Sequence, residues 1–193
     1  ELKEFWEISM KRLTLQLADY WYPATVFGKG NKLAIWFQGC SKKCLGCISP
    51  EYQSYNGGKK IIVDDLLDSF RDEKPEGLVI SGGEPFDQPE ALLYLVKEFE
   101  SRYGEDILVY TGYQLKELQD KKDDIYKRIL EHVAVLIDGK YEASLDSGTG
   151  LAGSSNQMIY LFKKQEKYQE ADKWKRNMMC ILKENGDIWL IGV

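Results

Sequence analysis

The sequence predicts an α/β fold built on a parallel sheet, and three observations predict it. Short apolar runs alternate with segments of helical periodicity. Those runs end in turns that contain glycine. The residues able to do chemistry sit in the same turns.

The elements follow in order. Leu33-Ala34-Ile35-Trp36-Phe37 is continuously apolar and reads as a buried strand running into Gly39-Cys40. Val63 to Arg71 places Leu66, Leu67 and Phe70 at helical spacing. Gly77-Leu78-Val79-Ile80 is a second strand, ended by Ser81-Gly82-Gly83. Pro89 to Tyr103 is a helix with Leu92, Leu93, Leu95, Val96 and Phe99 on its apolar face. Ile107 to Tyr110 is a third strand closed by Thr111-Gly112, and Leu115 to Leu130 is a charged helix. Val133 to Ile137 is a fourth strand ending at Asp138-Gly139. In such sheets ligands bind beyond the carboxyl ends of the strands, so every candidate site falls on one rim. The tail differs. Glu166 to Met179 reads as a polar helix, and two apolar runs joined across Asn185-Gly186 read as a hairpin that covers a sheet edge. Cys180, inside the first run, reads as core.

Length and composition bound the rest. A chain of 193 residues with 44% hydrophobic content is one domain of ordinary size with a sizeable core. A formal charge of -5 speaks against a nucleic-acid binder, and no apolar run is long enough to span a bilayer. Glu1-Leu2-Lys3-Glu4 does not open a signal peptide. The chain does not begin with Met, so upstream residues are expected to be missing. The default compartment is the cytoplasm.

Of the 4 cysteines, Cys40, Cys44 and Cys47 crowd one loop with the spacing C-x3-C-x2-C. They are too close together to staple distant segments, and a metal site in a reducing compartment fits better. Three thiolates on one loop suit three corners of an iron–sulfur cubane and leave the fourth iron open. Structural zinc is the competing reading, but it wants four ligands. His132 reads instead as a helix-end residue before a strand. Three unligated thiols are the third reading, although Gly39 and Gly46 give the backbone freedom to wrap a metal.

The cysteine motif after a strand resembles the radical S-adenosylmethionine (SAM) superfamily signature. Ser81-Gly82-Gly83-Glu84-Pro85 after the next strand resembles that superfamily's GGE motif. Further along, Tyr110-Thr111-Gly112-Tyr113, Asp138-Gly139-Lys140 and Gly153-Ser154-Ser155-Asn156-Gln157 resemble landmarks of the anaerobic ribonucleotide reductase activating enzyme family. The resemblance runs from about residue 15 to 157 and leaves 158–193 as a C-terminal extension. It implies a partial (β/α) barrel, open on one side, with a [4Fe–4S] cluster on Cys40, Cys44 and Cys47. It also implies SAM contacts at Gly46, Ile48, Ser81, Gly82, Gly83, Glu84, Thr111, Asp138, Lys140, Ser154 and Asn156. Glu84 would meet the methionine amine, Thr111 and Asp138 the ribose hydroxyls, and Lys140 a carboxylate. The superfamily often has an aromatic before its third cysteine, where this chain has Gly46. The activases commonly have one just after it, where this chain has Ile48, so adenine is expected against Ile48 or its backbone.

The implied function is one-electron cleavage of SAM to a 5′-deoxyadenosyl radical that takes hydrogen from a glycine of a partner enzyme. A flavodoxin or ferredoxin would be the electron donor. No catalytic side chain beyond the cluster is assignable. Two other classes compete: radical modification of a dedicated peptide or small molecule, as in deazaguanine synthases, and a plain electron-transfer protein that leaves the rim motifs unused.

Overall fold

The computed structural model describes residues 13–163, 165–182 and 186–193. Its main sheet takes in β1 (Thr14–Ala24), β2 (Lys32–Phe37), β3 (Lys59–Ile62), β4 (Gly77–Gly82), β5 (Ile107–Tyr110), β6 (Val135–Asp138) and β7 (Met158–Leu161), in the order β3-β1-β2-β4-β5-β6-β7. Strands β2, β4, β5 and β6 are mutually parallel, as the apolar runs predict. The outer strands β1, β3 and β7 pair antiparallel, so the sheet is mixed rather than all-parallel. Its two edges, β3 and β7, do not pair with each other. Met158–Leu161, counted above with the tail, is thus the last strand of the sheet.

Side-chain alternation sorts the two faces. Leu33, Ile35, Phe37, Leu78, Ile80, Ile107, Val109 and Leu136 point to one core, which is covered by α1 (Val63–Asp68), α2 (Pro89–Tyr103), α3 (Leu115–Gln119) and α4 (Ile125–Leu130). Ala34, Val79, Leu108, Val135 and Ile137 point to the other core. Among the described residues no α-helix lies there; Leu151, Tyr168, Ala171 and Ile191 cover it. Helix α2 starts on Pro89, whose fixed φ suits the first turn, and stops at Gly104 with φ 116°. The charged segment expected as one helix is two. Asp123 accepts from the Ile125 amide at 3.0 Å and starts α4 afresh, because a short carboxylate competes for backbone donors.

Two further readings of the tail are corrected. Residues 166–179 do not form a helix; only the 3-10 turn Gln165–Lys167 is helical. Their polar groups are spent elsewhere. Arg176 pairs with Asp146 at 2.6 Å and donates to the carbonyls of Gly150, Ala152 and Gly153, while the backbone of Gly150 and Leu151 bonds to Trp174 and Ala171. These tertiary bonds outweigh a helix that would have had no apolar face. The hairpin does form, as β8 (Met179–Leu182) against β9 (Ile188–Ile191), but as a separate two-stranded sheet. It covers a face rather than an edge. Trp189 packs edge-on against Trp36 and Trp21, with ring centroids 5.1 and 5.9 Å away. Strand alternation then turns Cys180 outward, and it is exposed rather than core. Asn185 of the expected turn and the N-terminal Glu1–Glu4 lie outside the described residues. Among the described residues no helix is long and apolar enough to cross a membrane.

Candidate active site

The carboxyl ends of β2, β4 and β5 converge on one cavity, with Gly139 after β6 on its wall. After β2 the chain passes through Gly39, at φ 95°, into Cys40. The backbone there is tied on two sides. Gly39 and Cys40 donate to the carbonyls of Tyr52 and Gln53 at 2.8 and 3.0 Å, and Gly39 accepts from the Glu84 amide at 2.8 Å. A side chain at Gly83 would overlap the Gly39 carbonyl, so only glycine lets the two loops close this tightly. Gly46, at φ 75°, completes the turn that brings the Cys47 amide to the Cys44 carbonyl.

Cys40, Cys44 and Cys47 all line the cavity, together with Ile48, Ser81, Gly82, Gly83, Glu84 and Thr111. The structure therefore brings together most of the residues predicted for the site. Gly46 shapes the loop without lining the cavity and abuts Ala143. Asp138, Lys140 and Asn156 line an adjoining groove that shares Lys42, Gly112 and Gly139 with the cavity. Asp138 accepts from the Leu115 amide at 2.5 Å and so starts α3; Asn156 donates to the Lys140 carbonyl. Ser154 is buried, and its hydroxyl accepts from the Glu142 amide. These residues hold the loop after β6 in place.

Glu84 is the most unusual group. It is 1% exposed, and its oxygens accept from the Phe86 amide, the Thr111 hydroxyl and the Gly112 amide at 3.0, 2.9 and 2.7 Å. Burial pushes its carboxyl up from 4.5 to about 7, because these donors only partly replace lost hydration. No cation is ion-paired with it among the described residues. A carboxylate can accept more bonds than these three, so an incoming ammonium would be favoured here. Burial likewise pushes the Cys40 thiol up.

The donor set fits an iron–sulfur cluster. The cavity holds three thiols of one loop, neither His132 nor Cys180 as a fourth nitrogen or sulfur ligand, and one carboxylate, Glu84, whose oxygens already accept three hydrogen bonds. His132 is paired with Glu100, and Cys180 is exposed on β8. Among the described residues no three His, Cys, Asp or Glu side chains converge closely enough to hold a single metal ion, so the three thiols line the cavity without meeting at one point.

Sequence reasoning gave no site role to several wall residues: Trp36, Tyr110 and Tyr141, and from the far end of the chain Gly192 and Val193. Trp36 and Tyr110 are legible afterwards as alternate positions of strands already assigned. Nothing local in the sequence marks Gly192 or Val193.

Residues 26–160 match the family model described as a 4Fe-4S single cluster domain. The anaerobic ribonucleoside-triphosphate reductase-activating protein of Haemophilus influenzae is 34% identical, over 74% of this chain and 96% of its own length. Its Escherichia coli counterpart is 30% identical, over 72% and 95%. The pyruvate formate-lyase-activating enzyme of Clostridium pasteurianum is 32% identical over 54% of this chain and 52% of that protein. The crystal structure of Escherichia coli QueE aligns at TM-score 0.45 and 17% identity, over 53% of this chain and 55% of that one, too partial a likeness to bear on the fold. The chain belongs to the family of the anaerobic ribonucleoside-triphosphate reductase-activating proteins, which are activating enzymes of the radical SAM superfamily.

Proposed function

We propose that this chain activates a partner enzyme by removing a hydrogen atom from one of its glycines, using a [4Fe–4S] cluster on Cys40, Cys44 and Cys47 and a molecule of SAM. One observation carries the reading: three thiols of one loop face the same cavity as a buried carboxylate that is ion-paired with no cation among the described residues. When bound, the cofactors supply a 5′-deoxyadenosyl radical by one-electron cleavage of SAM.

The chain's own residues bind and orient. Glu84 and the backbone of Ser81–Gly83 take the amine, which restores to Glu84 the charge partner it lacks. Ile48, 61% exposed at the cavity rim, offers the adenine an apolar edge. Lys140, exposed on the adjoining groove, is placed for a carboxylate. Thr111 is held by Glu84, while Asp138, Ser154 and Asn156 act by fixing the loop that carries Lys140. The sheet with its helices on one face is read as a partial (β/α) barrel whose open mouth admits a protein loop. An acidic electron carrier, ferredoxin or flavodoxin, would supply the electron, and the reducing cytoplasm is the setting that keeps the thiols available.

The test is anaerobic. Reconstituted protein with dithionite, SAM and the anaerobic ribonucleotide reductase of the same organism should yield 5′-deoxyadenosine and a glycyl-radical EPR doublet on the reductase. Cys44→Ala should abolish both, together with cluster iron. Turnover of a small molecule with no protein present, and no doublet, would overturn the activase reading. A dedicated peptide as substrate is favoured by one observation, that Gly192 and Val193, from beyond the matched region, line the cavity. The doublet then moves to that peptide or is replaced by a modified residue.

A further inference from the structure

We propose that Asp87 is a positioning residue for the cluster loop, clamping the backbone around Cys40 and setting the charge beside the cluster. This rests on the cluster reading above and adds a residue that none of the motifs contains. Asp87 closes the 3-10 turn Pro85–Asp87, directly after Glu84. Its two oxygens accept four hydrogen bonds from three separate segments. Oδ2 takes the Ser41 amide at 2.7 Å and the Tyr55 hydroxyl at 2.6 Å; Oδ1 takes the Ser41 hydroxyl at 2.9 Å and the Tyr113 hydroxyl at 3.3 Å.

The placement grips Cys40 from both sides. Ser41, the next residue, is held directly. Gly39, the one before, lies under the ring of Tyr55, where any side chain at 39 would overlap that ring. Asp87 therefore fixes the tyrosine that covers one neighbour of Cys40 and binds the other neighbour itself. The third arm reaches Tyr113, whose ring carries the Lys42 ammonium 3.1 Å from its centroid, so the same carboxylate also orders the face that presents Lys42 to the cavity.

A carboxylate meets this demand, because all four groups donate to it and about four acceptor sites are available on its two oxygens. Asparagine has one acceptor oxygen and would point N–H groups at a donor. No cation is ion-paired with Asp87 among the described residues, so its negative charge, tempered by its four donors and by Lys42 over the Tyr113 ring, is felt at the cysteine loop. Charge and hydrogen bonding around a cluster set its potential, and a nearby anion makes the reduced cluster a stronger reductant.

The experiment compares wild type, Asp87→Asn and Tyr55→Phe after anaerobic reconstitution. It reads iron per chain, the rate of cluster loss to a chelator, the midpoint potential and the melting temperature. For Asp87→Asn the cluster should be lost about tenfold faster, in the range found for residues that orient metal ligands, and its potential should move to a more positive value. Tyr55→Phe, which removes one bond and no charge, should speed the loss less and leave the potential near wild type. Asp87→Glu should recover the potential. A cluster in Asp87→Asn as durable as wild type and at the same potential would overturn the proposal while leaving the cluster reading intact. Wild-type protein that takes up no cluster would overturn both. If Asp87→Asn does not fold, an unchanged loss rate in Tyr55→Phe overturns the clamp by itself.

Discussion

Where the parallel strands begin, Asp106 lies between two ammonium groups; where they end, Glu84 is ion-paired with none among the described residues. Lys32, wholly buried at the start of β2, pairs with Asp106 at 2.5 Å, and Lys167 of the tail pairs with the same oxygen. The Tyr168 hydroxyl donates to the other oxygen at 2.6 Å. Burial pushes the Asp106 carboxyl up, but Lys32 and the hydrogen bonds from Lys167, Lys32 and Tyr168 outweigh it and hold it below the usual carboxylate range. Glu84 is as deeply buried and, among the described residues, is met by two amides and a hydroxyl, so its carboxyl moves the opposite way. One end of the sheet closes its charge within the chain and is a clamp. The other keeps a buried carboxylate uncompensated, a cost that makes sense where a cationic ligand arrives.

The largest expected effect breaks the clamp. Asp106→Ala strands two ammonium groups, one of them wholly buried, and should destabilise the protein by about 3–5 kcal/mol, read by urea unfolding. A loss within experimental error would mean that the tail is not anchored through Asp106.

A smaller effect sharpens the contrast through pH. Because the folded pKa of Glu84 lies above its ordinary 4.5, the folded state binds more protons between about 4.5 and 7. Stability of the cluster-free protein should therefore fall as pH rises through that window, by about 3 kcal/mol, and level off above it. Asp106 acts with the opposite sign. Its folded pKa lies below the ordinary 3.8, so its contribution is present above that value and is lost as pH falls through the lowered one. Denaturation at pH 5 and pH 8 separates the two, and Glu84→Gln should flatten the first slope while leaving the acid limb. A wild-type slope that rises from pH 5 to 7 would contradict the environment assigned to Glu84.

The two ends also differ in how legible they were. The rim could be read because each core strand is an uninterrupted apolar run that stops at glycine, and because the cysteine spacing is itself a chemical statement. Helix α2 was legible for the same kind of reason, with Pro89 at its start and one clean apolar face. The outer strands were not. β3 is Lys59-Lys60-Ile61-Ile62, with too few apolar residues to show a period, and β1 loses its alternation across Asp19, Tyr20 and Pro23, where its register against β2 shifts. The Asp106 clamp and the Asp87 bonds join segments far apart in the chain, and neither leaves a spacing to find. The tail misled because the polar run from Glu166 looked helical, whereas Tyr168 and Arg176 are committed to partners outside it.

The central claim is a [4Fe–4S] cluster that the protein holds by three thiols, leaving one iron to SAM. Mössbauer spectroscopy of anaerobically reconstituted, iron-57-labelled protein tests it most directly. Addition of SAM should make a single iron site of the cubane distinct from the rest. A spectrum unchanged by SAM, or protein isolated anaerobically with one tetrahedral zinc in place of iron, would contradict the account.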